Sequence, residues 1–113
     1  MTNLKTTSFG EFIKTQREQK RWTQTEFGAK IGINSSAVSR IENGTKQLSS
    51  KKLETLAKVF EIDISKISEQ YFAHKFAEEM IEYNCPESTL TVAEQAVKYM
   101  KAKSAKQLKL ETL

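Results

Sequence analysis

The sequence has little proline and glycine and almost no cysteine or histidine. Its 113 residues include one Pro, four Gly, one Cys and one His. A disulfide within the chain is therefore excluded, and neither a metal site nor a Cys-His nucleophile pair has suitable spacing around Cys85 and His74. No apolar run approaches the roughly 18 to 20 residues of a membrane span, and the N-terminus lacks the apolar core of a signal peptide. These absences predict a cytoplasmic protein with no cofactor, no metal and no membrane partner.

Motifs of catalytic sites are missing as well. There is no glycine-rich phosphate loop, no cluster of metal ligands and no nucleophile with a recognisable base. His74 follows Tyr71 by three residues on an apolar stripe, where packing or an interface is its expected role. Glu78, Glu79 and Glu82 form a charge run that is typical of a solvated helix face. The sequence therefore predicts no catalytic residue, no enzyme activity and no small-molecule ligand.

Charge is distributed unevenly along a chain whose net charge is +4. Residues 1–70 contain 12 Lys and Arg against 8 Asp and Glu, residues 71–97 contain 1 against 5, and residues 98–113 contain 5 against 1. A basic segment suits a polyanionic partner, and an acidic one repels it. A nucleic-acid surface is therefore expected before residue 70.

Apolar positions recur at intervals of three and four residues, which predicts an all-α chain. The first helix is expected from about residue 9 to residue 20, with Ser8 as its cap. A fourth helix should begin after Ser49, and a long fifth helix should follow Asp63. The break at Asn84-Cys85-Pro86 separates that helix from a sixth, and a basic tail over residues 103–113 is expected to be flexible.

The second and third helices have the clearest boundary signals. Thr23 and Glu26 form a capping box at the start of the second helix. Gly32 ends that helix, and Asn34 caps the third. Two helices of about two turns joined by such a short turn must cross steeply, which is the helix-turn-helix arrangement.

Two residues inside these helices need a structural explanation. Gly28 costs about 1 kcal/mol relative to Ala in a helix interior, and close approach of the third helix near Val38 would compensate, unless Gly28 is simply a tolerated surface residue. Arg17 lies on the apolar face of the first helix, four residues after Ile13. A charge in that position needs a partner or a route to solvent.

Several sequence elements between residues 8 and 68 follow one another in a specific order and spacing. They are Thr23-Gln24, Phe27-Gly28, Gly32-Ile33, the run from Val38 to Gly44, and a helix with Leu53, Leu56-Ala57 and Phe60. In this order they resemble the helix-turn-helix domain of the phage Cro/CI repressor, or XRE, family. The resemblance implies a five-helix domain that binds double-stranded DNA. Gly28, where the family usually has Ala, and the long fifth and sixth helices depart from the family pattern.

The resemblance also implies which residues contact base edges. By the family's docking geometry, the third helix presents its first turn and one later position to the major groove, which gives Ser35, Ser36, Ser39 and Arg40. Arg40 is suited to a bidentate guanine contact, with a phosphate contact or simple solvation as alternatives. The two adjacent serines have helix capping or a phosphate contact as alternative roles.

Contacts to the DNA backbone are implied for six further residues. Gln24, at the first turn of the second helix, resembles the family's phosphate-clamping glutamine. For Asn34 and Asn43 a purely structural role as cap and helix terminator is equally open, and Lys46 has solvation as its alternative. The set of phosphate-contacting candidates is Gln24, Asn34, Asn43, Thr45, Lys46 and Gln47.

A partner for Arg17 follows from the same resemblance. Glu42 lies four residues after Val38, on the inward face of the third helix. The resemblance pairs Arg17 with Glu42 as a partly buried salt bridge, with two unrelated exposed charges as the alternative. Both residues are therefore assigned a structural role.

Specific recognition of DNA by one short helix requires a dimer on a palindromic operator. The interpretation divides the chain into a DNA-binding domain (8–68), a helical dimerisation extension (69–102) and a flexible basic tail (103–113). Fold-back of the extension onto the first domain is the alternative to dimerisation. The expected dimer interface comprises Tyr71, Phe72, Phe76, Met80, Ile81, Tyr83, Leu90, Val97 and Met100.

The sequence thus favours a sequence-specific transcriptional regulator that acts as a homodimer. A repressor or autoregulator of a restriction-modification or phage locus is the more specific interpretation. The alternative is an antitoxin-like interaction protein, which binds a partner protein through its C-terminal helices while it represses its own promoter.

Overall fold

The computed structural model describes residues 8–111, and these residues form helices without any strand. The all-α class expected from the sequence is confirmed. The chain divides into two compact units between Phe76 and Ala77, inside a helix. The helices are α1 (Phe9–Gln19), α2 (Gln24–Ile31), α3 (Ser35–Glu42), a 3₁₀ turn (Ser50–Lys52), α4 (Leu53–Phe60), α5 (Ile64–Glu82) and α6 (Thr89–Glu111).

Capping boxes fix the starts of α1 and α2. The hydroxyl of Ser8 accepts a hydrogen bond from the Glu11 N–H at 3.1 Å, and the Glu11 carboxylate accepts one from the Ser8 N–H. Thr23 and Glu26 repeat this exchange at 3.0 and 2.8 Å. Each box pairs two backbone donors that would otherwise lack a partner within the helix. Both predicted helix starts are therefore confirmed.

One hydrophobic core fills the first unit, with stacked aromatic rings at its centre. The rings of Phe27 and Phe60 lie 5.2 Å apart and nearly parallel, and Trp22 stacks against both at 6.4 Å. Every helix of this unit contributes to the core. Its buried members are Phe9, Ile13, Phe27, Ile31, Val38, Ile41, Leu48, Leu53, Leu56, Ala57, Phe60, Ile67 and Tyr71.

Two helical glycines allow the backbone of neighbouring segments to approach closely. A Cβ atom on Gly28 would overlap the carbonyl oxygen of Ile33 and lie 3.2 Å from a methyl group of Val38. The predicted close approach near Val38 is therefore present. A Cβ atom on Gly10 would overlap the carbonyl oxygen of Ile41, so α1 lies directly against the end of α3.

Tyr71 corrects one of the dimer-interface predictions. Its side chain is only 4% exposed, because its ring packs edge-to-face on Phe9 at 5.1 Å and its hydroxyl donates to the carbonyl oxygen of Leu48 at 2.6 Å. The first turns of α5 thus complete the core of the first unit. A residue enclosed in this way is unavailable to a second chain, so its assignment to the dimer interface was wrong.

The second unit has a very different surface. From Ala77 to Glu111 no described residue is buried. Helix α6 continues through Lys103 to Glu111, so the described part of the predicted flexible tail is helical, whereas residues 112 and 113 lie outside the described range. No helix within residues 8–111 has the length and apolarity to cross a membrane.

We expect Gly10→Ala to destabilise the protein although Ala is the better helix former. The methyl group would collide with the backbone of α3, and such overpacking costs about 1 to 3 kcal/mol, against a gain of about 1 kcal/mol in helix propensity. Urea unfolding should show a lower midpoint, whereas the exposed control Thr15→Ala should leave it unchanged or raise it slightly through its higher helix propensity. A higher midpoint for Gly10→Ala would mean that the two backbones are not in contact.

Tyr71→Phe should reduce stability by about 1 to 3 kcal/mol at neutral pH, because the buried Leu48 carbonyl loses its donor. Burial raises the pKa of Tyr71. The folded state therefore holds the phenol proton where the unfolded chain releases it, above a pH of about 10. The stability that the protonated Tyr71 hydroxyl contributes is complete below the pKa of this tyrosine in the unfolded chain. It is lost as pH rises through the pKa of Tyr71 in the folded protein. The stability difference between wild type and variant should shrink from pH 9 to 11, and a constant difference would contradict this.

Candidate nucleic-acid interface

The turn between α2 and α3 is built from three residues with distinct backbone roles. Gly32 has φ +77°, and its N–H donates to the carbonyl oxygen of Gly28. The N–H of Ile33 donates to the same oxygen at 2.9 Å. Asn34 then caps α3, because its side-chain oxygen accepts from the Ala37 N–H at 2.8 Å. This hydrogen bond confirms the capping role of Asn34 and leaves its amide nitrogen as a donor.

Helix α3 has two opposite faces. Ala37, Val38, Ile41 and Glu42 are buried on the side that packs into the first unit. The four predicted base-contacting residues lie on the other side, with two half-buried and two exposed. Ser35 and Ser39 are the half-buried residues, and Ser36 and Arg40 are the exposed ones. The structure therefore brings all four together on one accessible helix face.

The predicted ion pair is present and well enclosed. The Nε atom of Arg17 donates to one carboxylate oxygen of Glu42 at 2.6 Å, and Nη2 donates to the other at 3.1 Å. Their side chains are only 10% and 2% exposed. The third donor, Nη1, reaches the carbonyl oxygen of Trp22 at 2.8 Å. Hydrogen bonding to Glu42 raises the pKa of Arg17, which favours the charged guanidinium.

Gln24 joins the same network, which the sequence reading did not predict. Its Nε2 donates at 3.1 Å to Oε1 of Glu42, the carboxylate oxygen that also accepts from Nη2 of Arg17. Gln24 is the first residue of α2, and Glu42 is the last residue of α3. The hydrogen bond fixes the amide plane of Gln24 and leaves its second N–H and its oxygen for other contacts. A sequence signal for this bond is absent, since the two residues are 18 positions apart.

The loop after α3 is held to the end of that helix. The Arg40 carbonyl oxygen accepts from the N–H groups of Thr45 and Lys46 at 2.9 and 3.3 Å, and from the Thr45 hydroxyl at 3.3 Å. Asn43 ends the helix and is exposed, as are Lys46 and Gln47. The loop thus presents the remaining predicted phosphate-contacting side chains on a backbone that these hydrogen bonds connect to α3.

Lys52 is a further contributor to this region that sequence reasoning missed. Its ammonium group donates to the Ile31 carbonyl oxygen at 2.8 Å, at the C-terminal end of α2. A cation there pairs with the partial negative charge of the helix end. The nearest sequence signal was the basic run at residues 51 and 52, which gives no indication of the partner.

A family model described as helix-turn-helix matches residues 13–67. Those residues form an XRE-family helix-turn-helix domain. This domain contains α2 and α3 as its central pair and ends within α5. A comparison with curated proteins returns no match.

Two of the solved structures that resemble the chain are both complexes. The phage P22 c2 repressor, in complex with the synthetic operator 9T in the presence of Tl+, has 22% identity and a TM-score of 0.50 over 55% of this chain and 94% of that one. The complex of the SinR and SinI proteins has 19% identity and a TM-score of 0.48 over 83% and 98% of the two chains. The first likeness establishes the repressor-type fold of the helix-turn-helix domain.

We expect Glu42→Ala to cost about 3 to 5 kcal/mol, because Arg17 would remain buried without a counter-charge. Urea denaturation followed by circular dichroism measures the loss. The control is Lys20→Ala, which breaks the more exposed 3.7 Å pair with Glu61 and should cost at most about 1 kcal/mol. The double variant Arg17→Met/Glu42→Leu should recover much of the stability. Equal losses for Glu42→Ala and Lys20→Ala would show that burial of the pair is unimportant.

Proposed function

We propose that the protein is a sequence-specific transcriptional regulator that binds double-stranded DNA as a homodimer on a palindromic operator. The observation that supports this most directly is the two-faced character of α3. Its inner face is fixed by the core and by the Arg17–Glu42 pair, and its outer face carries short polar side chains and one arginine. An outward polar face on a rigid helix is what major-groove readout requires.

Base readout in this proposal depends mainly on Arg40. Its exposed guanidinium suits a bidentate contact to guanine O6 and N7, which contributes roughly 1 to 3 kcal/mol of discrimination. Ser35, Ser36 and Ser39 have short hydroxyl groups that let the helix approach the base edges and read them loosely. The proposed specificity is therefore strongest at one guanine in each half-site.

Phosphate contacts fix the register of the domain on the duplex. Gln24 is positioned for this at the N-terminus of α2, where backbone N–H groups and the helix dipole attract a phosphate. Asn34 and Asn43 are at the two ends of α3, and Thr45, Lys46 and Gln47 are exposed in the loop that follows. The net positive charge of residues 1–70 supports the same assignment.

A homodimer lets the protein recognise a longer DNA sequence than a single α3 helix can. One α3 reads only a few base pairs, so two copies would bind half-sites about one helical turn, or roughly 34 Å, apart. The proposed interface uses apolar side chains of α5, of α6 and of Tyr83 just after α5, which are exposed or half-buried in the single chain. These are Phe72, Phe76, Met80, Ile81, Tyr83, Leu90, Val97 and Met100.

A partner-binding function is the second candidate, and the exposed apolar side chains of the second unit favour it. An antitoxin-like protein would cover them with a different protein rather than with a second copy. The two functions differ in a simple observation. A regulator of the first kind purifies as a homodimer, whereas the second kind requires its partner.

The experiment that tests the proposal is selection of bound sequences from a random pool of double-stranded DNA at a stated salt concentration. The expected product is an inverted repeat with half-sites one helical turn apart. No enriched sequence from a folded sample would overturn the proposal in favour of partner binding.

Arg40→Ala should lower affinity for the selected sequence about 5- to 150-fold, which corresponds to about 1 to 3 kcal/mol, and should change non-specific affinity much less. Binding to the selected duplex and to a scrambled duplex would be measured by fluorescence anisotropy. Lys14→Ala removes one exposed positive charge from α1 and serves as the matched control, with similar small losses on both duplexes. Equal losses of Arg40→Ala on both duplexes would assign Arg40 to a phosphate.

A further inference from the structure

Helix α6 bears an apolar stripe whose large side chains are exposed in the described part of the chain. Leu90, Ala93, Val97 and Met100 recur at intervals of three and four, so they share one face of the helix. The three large residues of this stripe are 49% to 63% exposed. The stripe follows the spacing by which two helices pack side by side.

The second unit gives this helix only partial burial, at residues such as Ala93 and Ala96. No described residue between Ala77 and Glu111 is buried, although α6 has 23 residues and a length of about 35 Å. A solvent-exposed helix of mixed composition is only marginally stable in water without packing on one face. The uncovered stripe is therefore where another helix is needed.

Charge along α6 identifies the occupant as a second copy of the same helix in the opposite direction. Before Lys98 the only charged residue of α6 is Glu94, whereas the rest of the helix carries five lysines and Glu111. Two parallel copies would place their lysine-rich halves side by side, which is repulsive. Two antiparallel copies place each lysine-rich half beside the half that contains Glu94.

We infer that α6 pairs antiparallel with α6 of a second copy, with Val97 of each helix facing Met100 of the other. This inference rests on the proposed homodimer and specifies its geometry. In that alignment Glu94 lies beside Lys101 of the second copy, and symmetry creates the same ion pair twice. In a parallel pair the residue beside Lys101 of the second copy is Ala96, so no ion pair forms there.

The ion pairs within α6 do not prevent this arrangement. Glu94 contacts Lys98 at 4.0 Å, but both side chains are about 70% exposed, so the interaction is weak. Glu94 and Lys101 are seven residues apart in one helix. They flank the stripe on the same side two turns apart, so each can meet its counterpart across the antiparallel pair.

Cysteine cross-linking tests the direction of the pair in the full-length protein. Cys85→Ser removes the native thiol, and Ala93→Cys or Ser104→Cys is then introduced singly. In the inferred alignment Ala93 faces Ser104 of the second copy, so a mixture of the two variants should form the mixed disulfide several-fold more than either homodisulfide. Mass spectrometry of digested peptides measures the products. Thr91→Cys, on the opposite face of α6, is the matched control and should give little disulfide.

The outcomes separate this inference from the proposed function. Homodisulfides of Ala93→Cys alone and of Ser104→Cys alone would show a parallel pair and overturn the inference while the homodimer stands. A dimer by light scattering without any of these disulfides would also overturn it alone. A chain that stays monomeric, with no inverted repeat in the DNA selection, would overturn both.

Charge reversal gives an independent test. Lys101→Glu should weaken the dimer about tenfold or more, because two attractive pairs become repulsive, and Glu94→Lys should do the same. The double variant Glu94→Lys/Lys101→Glu restores opposite charges and should regain most of the affinity. Sedimentation equilibrium measures the dimer dissociation constant. Additive losses in the double variant would overturn the inferred contact.

Discussion

The ion pair between Arg17 and Glu42 determines how α1, α2 and α3 meet. The guanidinium on α1 uses three donors, two for the carboxylate at the end of α3 and one for the backbone at Trp22, just before α2. Gln24 at the start of α2 donates a third hydrogen bond to the same carboxylate. Neither charge could be buried alone, because desolvation of an unpaired ion costs more than the core can readily offset. The geometry of the helix-turn-helix is therefore tied to one fully satisfied polar cluster.

Steric constraints act on the same helix from the apolar side. The end of α3 lies against Gly10 of α1, and the turn before it lies against Gly28 of α2. A side chain at either glycine would displace backbone atoms that are held in place by hydrogen bonds. With Val38 and Ile41 in the core as well, α3 is restrained along its whole inner face. Such rigidity suits a helix whose outer face is proposed to read DNA without rearrangement.

Local features of the fold were predictable from the sequence because each depends on neighbouring residues. The capping boxes at Ser8 and Thr23, the left-handed Gly32 and the cap at Asn34 all involve residues within a few positions of one another. The Arg17–Glu42 pair was predictable only through the family resemblance, since the two residues are 25 positions apart. The bonds of Gln24 to Glu42 and of Lys52 to Ile31 had no such signal, because they depend on how the helices are placed in space.

Tyr71 shows why helical periodicity alone misassigned part of the interface. An amphipathic stripe indicates that one face is buried, but it does not say against what. Spacing alone left open where along α5 the core of the first unit stops, and the hydrogen bond from Tyr71 to Leu48 shows that it reaches that far. Beyond Phe76 the same kind of apolar stripe continues without any buried residue in the described part of the second unit.

Burial of apolar side chains, which stabilises the folded state, is distributed unequally between the two units. The first unit contains all the buried apolar side chains of the described chain and can support its own fold. The second contains a 23-residue helix whose large apolar side chains are exposed. The stability of that helix should therefore depend on protein concentration if a second copy covers it, since association then supplies the missing burial. In the proposed regulator, the same association would set the separation of the two recognition helices, which links the folding of α6 to operator binding.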